Sequence, residues 1–518
     1  MLEVLRNGCV GRSCRQVADL VARSVRPILP STAALFALLL PASAFSTTLL
    51  VPNEFGSIAE ALVAASAGDS VLVSAGVYTE AMQTTPHGPS MIVMASDVVL
   101  RSVQGPEATI LDAAGAGRCV YFGEIGPSTR LEGFTIQGGV ALGTELYEDH
   151  GGGVFCFHSS PIVRDCVLLD NVAGIGGGMA CDHPSTPTIH GCRFERNEAL
   201  DGGGFAFLGS SAARLELCEF RENEAVRGGA VECHVSTPTI EGCTFERNHA
   251  SSVGGAIHVF LGGPHVLGST FWRDDAELGG TVRAESGSLV EILNCTVAAS
   301  AVNGPSSSGA ISLLDSFASI DGSIVAFTDS GSAVHCEGSS SGADVFCSDF
   351  YGNAGGDWVD CVAGAFGGGN IAEDPFFCSL GTGDLELDAS SPCAGSGNGD
   401  CGQIGALPVG CDVSDVPMGA VSESTGGRWL SLSLAENPVQ DRLRIQLDLA
   451  VPAEVRFEVV DPVGRVVSRF ATATMPAGRS SVEWDVRSNE HRPLARGVYF
   501  LRARARGAMS ARSFVVGR

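Results

Sequence analysis

Residues able to do chemistry recur in this chain at intervals of 25 or 26. Glu232, His258 and Arg283 hold equivalent places in three successive segments, and His234, Phe260 and Glu285 follow each of them two positions on. If every segment is a strand and the segments stack, these residues form two outward columns with steps of about 4.8 Å. One column runs Phe155, Ala180, Ala206, Glu232, His258, Arg283; the other runs Phe157, Asp182, Leu208, His234, Phe260, Glu285. A carboxylate, imidazoles and a guanidinium within about 5–10 Å could bind a sugar or abstract a proton. Phe155, Phe157 and Phe260 could stack on sugar rings. Glu232, His258 and Arg283 are the catalytic candidates, and His234, Glu285, Asp182 and Phe260 the candidate ligand contacts. His158 and His183 lie lower on the same face, whereas His190, His249 and His265 read as solvated residues on other faces. A plainer reading competes and is favoured: an exposed strand face carries polar residues anyway, and mixed charges on neighbouring strands are ordinary cross-strand pairs.

The segments that must position these residues are copies of one another. They read GGGVFCFHSSPIVRDCVLLDN (151–171), GGGMACDHPSTPTIHGCRFERN (176–197), GGGFAFLGSSAARLELCEFREN (202–223), GGAVECHVSTPTIEGCTFERN (228–248) and GGAIHVFLGGPHVLGSTFWRD (254–274), with a looser copy from 279. Such a period predicts a solenoid whose coils share one core. After the glycines, apolar residues alternate with a period of two, which predicts a strand with one face buried. Two or three short strands and tight turns per copy predict an all-β parallel β-helix. Asn171, Asn197, Asn223 and Asn248, followed by Asp274, fall at one coil position and predict a structural ladder of stacked amides. The double glycines predict a bend that requires positive φ or excludes a Cβ.

Phe245-x-x-Asn248 with Gly254-Gly255-Ala256-Ile257 resembles the repeats of polymorphic outer membrane proteins. That resemblance covers about 130 residues and implies a β-helix displayed outside the cell. Residues 47–80, with Ile58, Leu62 and Val63 on a short helix, resemble the N-terminal cap of pectin-lyase-like right-handed β-helices. Segments 370–377, 384–393 and 404–407 resemble the closing coils of bacterial right-handed β-helix proteins, so the solenoid is expected over 45–411 with on the order of a dozen coils. Enzyme signatures of this superfamily are missing. The paired aspartates and Gly-His-Gly of polygalacturonases are absent, as is the Gln and Asp constellation of pectin methylesterases. Asp182-His183 is similar to a pectate-lyase dipeptide, without its companion arginine motif.

Both ends of the chain read differently from the middle. Five arginines within residues 1–30 precede the apolar run STAALFALLLPASA (31–44), which predicts a secretory signal over 1–44 cleaved after Ala44. The run is too short for a permanent membrane span, so no transmembrane segment is expected after its removal. Residues 412–434 read as a linker. Beyond it, alternating runs at 443–450, 455–470, 480–486, 497–506 and 510–517 predict a small Ig-like β-sandwich over 435–518. Asn437-Pro438-Val439, Asp461 through Gly464-Arg465, Trp484-Asp485 and Gly497-Val498-Tyr499-Phe500 resemble the C-terminal sorting domains of type IX secretion cargo, and the related module of the flagellar hook-capping family. The resemblance implies export by an outer-membrane secretion machinery and attachment at a bacterial surface. Arg512 and Arg518 stand where that family usually ends in lysines.

Secretion gives meaning to the 18 cysteines. Cys166, Cys192, Cys218 and Cys243 stack inside the solenoid and read as small apolar fillers. Cys336, Cys347, Cys361, Cys378, Cys393, Cys401 and Cys411 lie in Gly/Ser-rich loops and read as disulfide partners with one thiol left over. The net charge of −26, with arginines gathered at the two ends, leaves the solenoid strongly acidic. Nucleic acid and anionic membrane are poor partners for it; neutral or cationic glycans and a surface protein remain. No cofactor or metal is expected; calcium stays open, although the acids are scattered and form no Asp-Gly calcium loop. The favoured expectation is a displayed scaffold that binds a glycan or a partner. The alternative is a polysaccharide lyase or hydrolase acting through Glu232, His258 and Arg283.

Overall fold

A strand with one apolar side gains stability only when its edges are paired and that side is covered, which stacking achieves coil upon coil. The computed structural model describes residues 46–411 apart from 183, 210, 305–307, 366–367 and 396–400. It also describes 430–434, 439, 442–449, 452, 454–460, 466–471, 474–476, 478–487, 492–505 and 508–517. The expected signal segment, His183 and residues 412–429 of the expected linker lie outside the described residues. The chain divides into two compact units, 1–416 and 417–518.

In the first unit each coil contributes a strand to each of three long sheets. In the coil opening at Gly151, Val154–Phe157 joins the first sheet, Ile162–Arg164 the second and Val167–Leu169 the third. These sheets hold 11, 12 and 11 strands. The pairing is parallel and keeps equivalent residues opposite one another: Val154, Met179, Phe205, Val231, Ile257 and Val282 form one in-register column and are buried. Within these three sheets, among the described residues, the exception is an antiparallel hairpin at the start of the first, Gln83–Thr85 against Gly88–Val93. On the third sheet Phe194, Phe220, Phe245 and Phe271 stack with ring centroids 4.7, 4.9 and 4.5 Å apart. Each such ring contributes about 2–3 kcal/mol by leaving water.

Beside the rings runs the asparagine column. Asn171 Nδ2 donates to Asn197 Oδ1 at 3.0 Å, Asn197 to Asn223 at 3.0 Å, and Asn223 to Asn248 at 2.9 Å. Each Nδ2 also donates to a backbone carbonyl of the preceding coil: Ile136, Leu168, Phe194 and Phe220 in turn. Every one of these amides is fully buried, so the ladder removes a desolvation cost that an unpaired side chain would impose. The stacked Cys166, Cys192, Cys218 and Cys243 are free, buried thiols.

The core is closed at its start by the helix Ile58–Ala64, which buries Ile58, Ala61 and Leu62. Ser57 caps it, and the Glu80 carboxylate accepts from the amides of Ile58 and Ala59. The far end departs from the expected closing coils. Ile371 still bridges to Asp349 as a further coil would. Thereafter Phe377–Ser379, Asp384–Asp388 and Val409–Cys411 form a separate three-stranded sheet. Its Leu385 and Leu387 pack on Trp272, Ala298, Ile324 and Ala326, the outer side of the third sheet. Trp272 Nε1 donates to the Leu380 carbonyl at 2.9 Å. The chain folds back here because the third sheet turns apolar outward, where earlier coils carry Arg193, Glu219 and Glu246. Disulfides Cys336–Cys361, Cys347–Cys401 and Cys378–Cys411 pin this region, and Cys393 is the thiol left over.

The second unit is a two-sheet sandwich. Leu430–Leu434, Arg442–Leu449 and Gly478–Asp485 form one sheet; Val466–Ala471, Arg456–Val460, Gly497–Ala505 and Ala508–Val516 form the other. Its core includes Ile445, Phe457, Trp484, Leu501 and Phe514. Leu430–Leu434 is a strand where the sequence reading continued the linker, because its Leu-Ser alternation is short and follows a long polar stretch.

Candidate functional site

The outer side of the first sheet carries the candidate residues in the expected register. Glu232 is opposite His258, His258 opposite Arg283, and Phe260 opposite Glu285. Their exposure differs from expectation. Glu232, His258 and Arg283 are each 2 % exposed, and Phe155, Ala180 and Ala206 are fully covered. The cause lies in the glycines that precede each strand. Gly151, Gly176, Gly202, Gly228, Gly254 and Gly279 have φ between 61° and 68° and turn the entering chain back over its own strand. A Cβ on Gly151, Gly176 or Gly279 would stand within about 3 Å of Phe155, Ala180 or Arg283. The first outward column is therefore a covered layer, and it is the second column, except at the buried Asp182, that reaches the surface. In that column His234 is exposed, Phe260 and Glu285 are half-buried, and the rings of His234 and Phe260 lie 5.1 Å apart.

Beneath this surface row the charges interlock. His258 Nδ1 meets Glu232 Oε2 at 2.8 Å, while its Nε2 is 3.8 Å from Glu285 Oε2, beyond hydrogen-bond length. Arg283 donates Nε to Glu285 at 2.9 Å and Nη2 to Glu337 at 3.1 Å. His258 Nε2 and Arg283 Nη1 are buried donors without a partner among the described residues. Burial pulls the His258 pKa down, but Glu232 and then Glu285 outweigh it and raise it to about 9. The His258 imidazolium close by, against the cost of burial and with help from Arg283, holds Glu285 down at about 2. At neutral pH His258 is thus an imidazolium and Glu285 a weakly basic carboxylate. Efficient general bases have pKa values near the working pH, and neither group meets that condition.

Three coils earlier the same face is aromatic. His87, Tyr147 and Phe157 are half-buried and lie over Tyr121 and Phe155, with the His87 and Phe157 rings 4.1 Å apart and Tyr147 and Phe157 5.3 Å apart. Phe155 is sealed beneath them and has no surface for a sugar. Arg118, 1 % exposed, anchors the cluster by donating to the carbonyls of His87, Tyr147, His150 and Gly151. Asp182 is buried, with its carboxylate 3.8 Å from His150 Nε2, so it is no open ligand contact. Ala180 and Ala206 separate the aromatic and charged ends. His158 is exposed beside Phe157. His249 and His265 are open to solvent as read, and each meets a neighbouring carboxylate, Asp275 and Glu291, at 2.7 and 2.6 Å; the His190 Nδ1 is buried.

Sequence reasoning missed Arg118, Tyr121, His87, Tyr147 and Glu337. Two of them had a usable signal: Val120-Tyr121 pairs with Val154-Phe155, and Glu337 follows Glu285 and Leu314 in one column. Neither segment begins with the glycines that mark the clear copies. Among the described residues no group of three or more His, Cys, Asp or Glu stands close enough to hold a metal ion, and no helix is long and apolar enough to cross a membrane.

The family model described as a right handed beta helix region matches residues 125–271 and 178–364. Among solved structures the chain is similar to the PL6 family alginate lyase AlyGC, at 12% identity over 76% of this chain and 61% of that one, with a TM-score of 0.36. A variant of that lyase gives the same identity and coverage with a TM-score of 0.34. Dimeric latent PorU from Porphyromonas gingivalis is similar over 18% of this chain and 10% of its own, at 19% identity and a TM-score of 0.17. The chain spans less than two thirds of the length of each of these structures. No curated protein matches it. Its first unit is a right-handed parallel β-helix.

Proposed function

We propose that the protein is a secreted β-helix, displayed at a bacterial surface, that binds a neutral or cationic glycan along the outer side of its first sheet. The observation that carries this reading is the surface row of His234, Phe260 and Glu285, set on a buried, interlocked layer of Glu232, His258 and Arg283. Such a row offers an aromatic face, a donor and an acceptor, and the layer beneath fixes Glu285 before any ligand arrives. Three carboxylates against one imidazolium and one guanidinium, on a chain of net charge −26, disfavour an acidic polymer. The C-terminal sandwich, with its resemblance to type IX sorting domains, supports export and attachment through the outer-membrane secretion machinery.

A polysaccharide lyase or hydrolase is the second reading, favoured by the His258–Glu232 pair on adjacent coils. With His258 acting as base, its rate would rise with pH and level off only above about 9. The test is affinity electrophoresis of the full chain in neutral, cationic and acidic polysaccharides, with and without calcium, together with ultraviolet detection of unsaturated products and reducing-end assays. Retention by neutral or cationic polymers, lost in His234→Ala and Phe260→Ala without any cleavage, is expected. Cleavage that follows the pH profile above and vanishes in His258→Gln would replace binding with catalysis.

A further inference from the structure

The asparagine ladder ends in a residue of different chemistry. Asp274 accepts at Oδ1 from the Asn248 amide and from Asn248 Nδ2, both at 2.9 Å, just as each asparagine above accepts from its neighbour. Its Oδ2 therefore occupies the place of an asparagine Nδ2. In four successive rungs that nitrogen donates to a main-chain carbonyl, the last two belonging to Phe194 and Phe220. Asn353 repeats the arrangement further along, with Nδ2 on the Val325 carbonyl at 2.9 Å. Phe194, Phe220 and Phe245 are register partners in turn, so the carbonyl awaiting a donor from residue 274 is that of Phe245. Asp274 is fully buried, and Oδ2 has no partner among the described residues. An ionised oxygen there would face a carbonyl oxygen in a dry core; a protonated one would complete the rung.

We propose that Asp274 is a neutral carboxylic acid that continues the ladder by donating Oδ2–H to the Phe245 carbonyl, and that its ionisation makes this coil a pH-sensitive joint in the solenoid. The surrounding charges agree. Burial raises its pKa to about 7 against the lowering effect of the two Asn248 donors, and the carboxylates of Asp275 and Glu246 push the same way. Asp275 is itself bonded to His249 and Asn303, and Glu246 is paired with Arg221 and Arg247. In the next coil the Ser300 hydroxyl is bonded to Thr281, and no hydrogen bond to Asp274 Oδ2 is formed among the described residues. The folded-state pKa lies above the unfolded value of about 3.9. The stabilisation is therefore complete below about pH 4 and is lost as pH rises through about 7.

The experiment compares the full chain with Asp274→Asn, which places a permanent donor at the same position. Melting midpoints of the solenoid transition are measured by calorimetry from pH 4 to 9. Other titrating groups, among them His258 and Asp349, are common to both proteins and cancel in the difference. The variant is expected to match the parent near pH 4, to gain on it progressively up to about pH 7, and to keep a constant lead above that. A lead independent of pH, or a variant less stable than the parent at pH 8, overturns the proposal. Infrared difference spectra at pH 6, where ordinary carboxylates are ionised, give a second reading: a protonated-carboxyl band in the parent that Asp274→Asn removes. Absence of that band also overturns it.

Discussion

Two polar columns run through the same coils at the same spacing, one inside and one on the first sheet. The inner column repeats a single residue type, and each amide satisfies the next, so nothing is left over from Asn171 to Asn248. The outer column changes type at every step, from Glu232 to His258 to Arg283, and leaves His258 Nε2 and Arg283 Nη1 without partners among the described residues. Stacking itself favours identical neighbours, since an amide can both donate and accept along the column. A column that changes type gives up that economy. The residues of the outer column therefore answer to what lies above them, the row of His234, Phe260 and Glu285.

The contrast is broken most forcefully from the inside. Asn223→Ala removes the donor to the Phe194 carbonyl and the acceptor for both Asn197 groups, and it leaves a void. A loss of about 3–5 kcal/mol is expected, read from the denaturant midpoint of the solenoid. His258→Ala comes next, at about 3 kcal/mol, because Glu232 then stays buried without its partner. The double variant Glu232→Leu with His258→Leu should recover most of that loss, since an ion pair replaced whole by apolar groups is often neutral. No such paired rescue exists within the ladder, where every rung has two neighbours. The outer column also has its own pH signature. His258 titrates at about 9 in the folded chain, above its usual 6.5, so its contribution is present below pH 6.5 and fades as pH rises through 9. His258→Gln should remove that slope from the melting curve above pH 6.5 and leave the slope at lower pH intact.

The same contrast separates what the sequence discloses from what it withholds. Inner positions are legible because a buried residue faces the same neighbours in every coil, so Val154, Met179, Phe205 and their successors repeat in kind. Asn171 to Asn248 are legible for the same reason. A period of two tells which side of the strand Glu232 and His258 take, but not what folds over that side. The turn at Gly228 or Gly254 covers them, and its left-handed φ is a property of backbone geometry that the letters Gly-Gly only permit. The fold-back after Ile371 was hidden for a related reason. Its strands resemble those of a coil, and only the apolar outer side of the third sheet at Ala298, Ile324 and Ala326 distinguishes a further coil from a strap across earlier ones. Arg118 was missed because a fully buried arginine bonded to four carbonyl groups has no signature in spacing.

The smallest expected effect gives the sharpest test of which layer does what. His234 is exposed, rests against Phe260, and lies on the row above the interlocked charges. Its truncation to alanine removes no buried partner and creates no void, so the melting midpoint should move by no more than about 0.5 kcal/mol of stability. The loss of glycan retention expected from the same variant would then be a loss of contact and not of fold. If His234→Ala instead destabilises the solenoid as much as His258→Ala does, the two rows are one structural unit and the surface row is no binding surface. A stable variant that loses retention, beside an Asn223→Ala variant that loses stability, would separate the inner column's work from that of the outer face.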